Sequence, residues 1–99
     1  LGNNALQNNN DGFYNIGIGA FSLFYNESGR NNISIGYVSG YFGTTGYSNI
    51  SIGVRALNDN QTGSNNVAVG DSSLLNSTTS NMVAVGSKAL YLNTTGTFN

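Results

Sequence analysis

The sequence predicts an all-β fold, a parallel β-solenoid of about six coils, from three observations. A unit of aliphatic residue, small residue, aliphatic residue and Gly returns every 17 residues, with a single step of 16. Only 7% of the 99 residues are charged, whereas about 25% is usual in globular domains. The chain also holds 14 Gly and no Pro. Repetition at a fixed short period is typical of solenoids, in which each repeat stacks on the next.

The whole chain, residues 1–99, forms a single repeat array. Its coil bounds are about 1–15, 16–32, 33–49, 50–66, 67–82 and 83–99. Positions within a coil are counted from its first aliphatic residue, so that Ile16 is position 1. Because the pattern starts and stops within a repeat, we expect an internal segment of a longer fibre.

Positions 1 to 3 predict a short strand, since β-branched residues at 1 and 3 flank a small residue with the period of two. We expect the aliphatic side chains to point into the solenoid. Small residues such as Ser34 and Ala68 would then point outward, where a neighbouring chain could pack closely. A Gly at position 4 ends the strand and suits a bend with positive φ. These glycines include Gly19, Gly36, Gly53, Gly70 and Gly86.

The rest of each coil predicts a second segment and a turn. Ala or Ser at position 7 and Leu at position 8 break the alternation, so the segment forms either one helical turn or a second short strand, with Leu facing inward. Residues 93–96, Asn-Thr-Thr-Gly, are typical of a turn. Asn at position 17 predicts a ladder in which amides of successive coils hydrogen-bond along the axis. This column contains Asn15, Asn32, Asn49 and Asn66.

Residues 32–36, Asn-Ile-Ser-Ile-Gly, and their copy at 66–70, Asn-Val-Ala-Val-Gly, resemble the head repeats of trimeric autotransporter adhesins of the YadA type. The longer unit at 89–96 is similar to repeats of phage tail-fibre-like and bacterial surface proteins. The resemblance covers essentially the whole chain. It implies a left-handed β-roll, a homotrimer, and an extracellular fibre or adhesin on a cell surface or virion. The repeats here are longer than YadA-type repeats, so we expect a larger cross-section.

The sequence predicts no enzyme, no cofactor and no metal site. The chain has no His and no Cys, which removes the usual general base and the commonest metal ligands. The four acidic residues occupy four different positions of the repeat and therefore build no paired-carboxylate or calcium site. They are Asp11, Glu27, Asp59 and Asp71. A net charge of −1 offers no field for nucleic acid, and no apolar run is long enough to span a membrane.

Recognition is expected at positions that vary between coils. Tyr side chains can stack on sugars or fill a partner's pocket, and the candidates are Tyr25, Tyr41, Tyr47 and Tyr91. A Ser/Thr column at position 13, with Thr45 and Thr62, could instead present an ice-binding face.

We therefore expect a non-catalytic spacer of an extracellular fibre or adhesin. Its partners would be copies of itself, as a homotrimer or stacked end to end, and a cell-surface glycan or protein. The alternative is a solenoid filament subunit or an ice-binding protein.

Overall fold

The computed structural model describes residues 1–99 and is all-β, without a helix. Its five strands are β1 (Ile16–Ile18), β2 (Ile33–Ile35), β3 (Ile50–Ile52), β4 (Val67–Val69) and β5 (Val83–Val85). They form a single parallel sheet in chain order. The predicted parallel β-solenoid is confirmed, with about four turns between five strands. Residues 1–15 and 86–99 contain chain turns and bends but no strand.

The shortened coil 67–82 keeps the strands in register because its missing residue lies in a bend. Val67 pairs with Val83 as Ile50 pairs with Val67. The Nδ2 of Asn49 donates to the carbonyl of Gly63, 14 residues ahead, whereas that of Asn66 donates to the carbonyl of Thr79, 13 residues ahead. The sheet is therefore insensitive to the loss.

The strands turn their small residue inward and their aliphatic residues outward, so the predicted orientation is wrong. The central residue of every strand is buried, and both flanking aliphatic residues are half-buried or exposed. The reason is the narrowness of the coil. A Cβ atom on Gly17 would lie 2.8 Å from Ser22 Oγ and 3.1 Å from Leu6 Cγ. Only a small side chain fits between the strand and the segment that faces it.

The interior is filled from that facing segment. The Leu side chains at position 8 point inward as predicted, and Leu23, Leu57 and Leu74 are at most 4% exposed. Around them, 13 of the 25 buried residues are Ser or Asn. Buried polar groups stabilise a fold only when they are hydrogen-bonded. Hydrogen bonds between these groups therefore contribute to the interior beside apolar packing.

The segment after each strand is neither the helical turn nor the second strand that the sequence left open. Its backbone alternates between negative and positive φ, with positive φ at positions 6 and 8, as at Lys88 (59°) and Leu90 (50°). Position 16 has positive φ as well, so 17 non-Gly residues are left-handed. Such conformations are uncommon outside Gly. The glycines at position 4 have φ between 118° and 132°, which confirms the predicted bend.

Candidate interaction surfaces

The Asn residues at position 17 link each coil to the next, but through the backbone rather than through amide pairs as predicted. The Oδ1 of Asn32 accepts the backbone N–H of Asn49 at 2.9 Å, and its Nδ2 donates to the carbonyl of Gly46 at 2.8 Å. Asn15, Asn49 and Asn66 repeat both bonds. Each side chain thus satisfies two backbone groups of the next coil. Asn32, Asn49 and Asn66 are buried and are not available for recognition.

A second column of Asn, at position 11, was not predicted from the sequence. The Nδ2 atoms of Asn9, Asn26 and Asn60 each donate to the carbonyl three residues ahead, at 2.8, 3.1 and 2.9 Å. Asn26 and Asn60 are at most 2% exposed. The Asn-x-x-Gly spacing in residues 9–12, 26–29 and 60–63 was the available signal.

The outer face of the sheet is a continuous aliphatic surface, which we call the aliphatic face. It consists of positions 1 and 3 of all five strands, and every one of these residues is Ile or Val. The exposed fraction rises to 58% at Val83 and 69% at Val85. No charged residue lies in any strand. An exposed apolar surface of this continuity is typical of an interaction site.

The predicted surface tyrosines do not form one site. Tyr25 and Tyr41 are brought together, with ring centroids 5.2 Å apart. Tyr47 lies elsewhere, 40% exposed, with the guanidinium carbon of Arg30 4.9 Å from its ring centroid. Tyr91 is half-buried in the last coil, away from the other rings. Thr45 and Thr62 are exposed, but they lie in bends and not on a strand, so the Ser/Thr column lacks a flat sheet beneath it.

Six aromatic side chains cluster on the coils that begin at β1 and β2. Phe24 stacks on Tyr41 with centroids 5.3 Å apart and an interplanar angle of 12°, and Tyr25 stacks on Phe42 at 5.6 Å and 3°. Within each coil the neighbouring rings meet edge to face, 4.7 Å apart. These four rings, together with Phe21 and Tyr37, form what we call the aromatic block.

An open groove of about 260 Å³ borders the aromatic block. It is lined by Phe21, Tyr37, Val38 and Tyr41. Of these, only Tyr41 was among the tyrosines predicted from the sequence. The available signal for Phe21 and Tyr37 was that six of the eight residues at positions 5, 6, 9 and 10 of two consecutive coils are Phe or Tyr.

The coil 33–49 differs from the others inside as well. Gly40 stands where the other coils have Leu, and Gly43 stands where they have Asn or, in the coil 67–82, Ser77. A cavity of about 10 Å³ lies beside these two glycines. That volume is close to the space of one water molecule. Nearby, the hydroxyl of Ser39 donates to Ser51 Oγ at 2.9 Å, and Ser34 Oγ also hydrogen-bonds with Ser51 Oγ. The cavity is too small for an organic ligand.

Comparison of the chain with protein-family models, curated protein sequences and solved structures finds no match. The fold alone defines the class, a parallel β-solenoid repeat protein. No group of three or more His, Cys, Asp or Glu side chains is placed to hold a metal ion. No helix is long and apolar enough to cross a membrane.

Proposed function

We propose that this chain is a structural repeat segment of an extracellular fibre or adhesin, of the bacterial surface or phage tail-fibre type. Its array of about six coils winds left-handed and associates with copies of itself as a homotrimer. The observation that carries the proposal is the aliphatic face, which a single chain leaves exposed to water. The segment acts as a non-catalytic spacer and contributes to attachment through residues that vary between coils.

The aliphatic face is suited to pairing with a second copy. Its strands are in register, so Ile and Val form two columns that repeat at the inter-strand spacing of about 4.8 Å. A second solenoid with a parallel axis presents the same columns at the same spacing. The columns can therefore interdigitate along the whole face, and no charge has to be desolvated. Burying an Ile or Val side chain fully contributes roughly 1.5–3 kcal/mol.

Three copies are favoured over two by the resemblance to YadA-type heads. Three faces can close around an axis that runs parallel to the solenoids and leave no aliphatic column exposed. The small strand residues, which the sequence suggested as the contact, are enclosed within each chain. The predicted contact is thus corrected, and self-association is now proposed through the opposite side of the strand.

The proposal is tested by analytical ultracentrifugation of the purified chain and of two double variants. Ile35→Lys with Val69→Lys places two charges on the aliphatic face, and Thr45→Lys with Thr62→Lys places two charges in exposed bends. We expect a trimer for the original chain and for the Thr variant. We expect a folded monomer for the aliphatic-face variant, because neither mutated side chain is part of the interior.

Circular dichroism shows whether each variant keeps its fold. A folded monomer of the original chain would reject the trimer and favour the monomeric solenoid. A stable dimer would reject the threefold arrangement but retain the aliphatic face as the contact. An aliphatic-face variant that still forms trimers would place the contact elsewhere on the chain.

A further inference from the structure

The aromatic block is not required by the coil. At positions 5, 6, 9 and 10 the coil 50–66 carries Val54, Arg55, Asn58 and Asp59, and folds in the same way. Four of the six rings are accounted for by mutual stacking along the axis. Phe21 and Tyr37 lie outside those two stacks, and both line the groove. Phe21 packs against the rings of Phe24, Tyr37 and Tyr41, whereas the exposed ring of Tyr37 meets only that of Phe21. The placement of Tyr37 is therefore explained less by packing within the aromatic block than by the groove that it lines.

The groove is an aromatic corner with hydroxyl groups. The rings of Phe21 and Tyr37 meet at an interplanar angle of 84° with centroids 6.3 Å apart, while Val38 and Tyr41 complete the lining. Tyr37 is 52% exposed. A ligand that lies against this corner would meet ring carbon atoms and the phenolic hydroxyls of Tyr37 and Tyr41. None of the four lining residues carries a formal charge.

The Tyr41 hydroxyl remains a neutral hydrogen-bonding group. Loss of solvent among the neighbouring rings raises the pKa of Tyr41, and the phenols of Tyr25 and Tyr37 raise this pKa further. A phenol that does not ionise near neutral pH can both donate and accept a hydrogen bond. The residues that line the groove therefore offer no counter-ion for a charged ligand.

The backbone beside the groove is partly engaged in the solenoid. The N–H groups of Phe21 and Val38 donate to carbonyls of the preceding coil at 2.9 and 3.0 Å, and the carbonyl of Tyr37 accepts from Arg55 at 3.0 Å. An extended peptide that adds to a protein by main-chain hydrogen bonds needs the edge of a sheet, and none of the four lining residues lies in a strand. A pyranose ring needs no strand edge, since it has an apolar C–H face and a rim of hydroxyls.

We propose that the groove formed by Phe21, Tyr37, Val38 and Tyr41 binds a neutral saccharide. The C–H face of one sugar ring would pack on the aromatic corner, and the phenolic hydroxyls would bond to its hydroxyls. The inference deepens the attachment part of the proposed function and rests on that function only for where the sugar is met. Trimer formation involves the aliphatic face, so the two proposals can fail separately.

The test is a titration of the full chain with maltohexaose, cellohexaose and N-acetylchitohexaose, followed by the NMR signals of the tyrosine rings. We expect at least one of these sugars to bind and to shift the ring signals of Tyr37. Tyr37→Val should weaken that binding by about tenfold, the upper end of what one aromatic contact contributes. The coil 50–66 carries Val at this position, so the variant is expected to fold.

Tyr91→Leu is the matched control. It removes a tyrosine outside the groove and introduces the residue found at the same position of the coil 67–82. Its affinity for the sugar should equal that of the original chain.

Absence of binding to all three sugars at millimolar concentration by a folded chain would overturn the inference, as would binding to an anionic hexasaccharide alone. Equal losses of affinity in both variants would also overturn it. Ultracentrifugation of the same samples reports on the trimer independently: a trimer that binds no sugar leaves the aliphatic-face contact standing.

Discussion

Asn26 donates from Nδ2 to the Oδ1 of Asn9 in the preceding coil at 2.5 Å, while its own buried Oδ1 has no donor. The two residues occupy position 11 of successive coils. In the following coil this position is Gly43, which has no side-chain amide to donate. The column of interior amides is therefore interrupted at the coil that also contains the small cavity.

Gly43→Asn should stabilise the fold. The new Nδ2 would donate to the orphaned Oδ1 of Asn26, and a buried hydrogen bond of this kind contributes about 1 kcal/mol. The closest atom to a Cβ built on Gly43 is the carbonyl oxygen of Gly40 at 3.2 Å, a tight contact but not a collision. Urea denaturation should show a higher free energy of unfolding. Gly43→Ala is the control, since it restricts the unfolded chain in a similar way but supplies no side-chain amide. An equal gain in stability from Gly43→Ala would show that the hydrogen bond to Asn26 is not the cause.

Asn49→Ala should be strongly destabilising. The substitution leaves the buried backbone N–H of Asn66 without a partner and removes one of the two donors to the carbonyl of Gly63, which keeps its bond from Asn60 Nδ2. A buried N–H without a partner costs about 1–3 kcal/mol, and the lost second bond adds to this cost. Thermal unfolding should show a large drop in midpoint. Asn10→Ala, at an exposed position, should change stability by no more than about 0.5 kcal/mol. Similar effects of both substitutions would rule out the structural role of the Asn column at position 17.

The sequence was sufficient to predict the solenoid but not which side of the strand faces inward. Because side chains alternate along a strand with a period of two residues, Ile33 and Ile35 lie on the same side. The ordinary expectation is that these larger side chains are the buried ones. The outcome is decided by the distance between the strand and position 7 or 8 of the facing segment. That distance depends on residues with positive φ, such as Val38. No pattern in the sequence predicted these conformations. The groove, in contrast, lies between two consecutive coils and had a signal in the sequence, the aromatic residues that the two coils share.

Ala68→Leu tests the orientation directly. Ala68 is fully buried and packs with Leu74 and Met82, so the larger side chain has no space. Overpacking of this kind costs about 1–3 kcal/mol, which denaturant titration would detect. Val69→Leu, at the next residue on the aliphatic face, should have little effect on the free energy of unfolding. The reverse ranking of the two variants would mean that the aliphatic residues point inward after all.

Gly53→Ala should cost more than Gly86→Ala, although φ is 130° and 125° at the two residues. Both substitutions force Ala into a conformation that costs about 1–3 kcal/mol. At Gly53 the new Cβ would also lie 2.6 Å from the carbonyl oxygen of Gly70. At Gly86 it would meet no atom within 4 Å. The difference in unfolding free energy therefore measures how closely the coils stack, and equal costs would show that stacking imposes no limit.

The carboxyl group of Asp59 gives the fold a specific dependence on pH. Burial raises the pKa of Asp59 above its ordinary value of 3.8, so the folded chain holds this proton more tightly than the unfolded chain does. Stability must then fall as pH rises through the interval between the two pKa values. Asp59→Asn should be more stable than the original chain at pH 7. The gain in free energy of unfolding should be only about a few tenths of a kcal/mol, because solvent screens the partly exposed carboxylate. This gain should vanish below the ordinary carboxyl pKa. Glu27→Gln removes one exposed charge, and the same gain there would attribute the effect to net charge rather than to burial of Asp59.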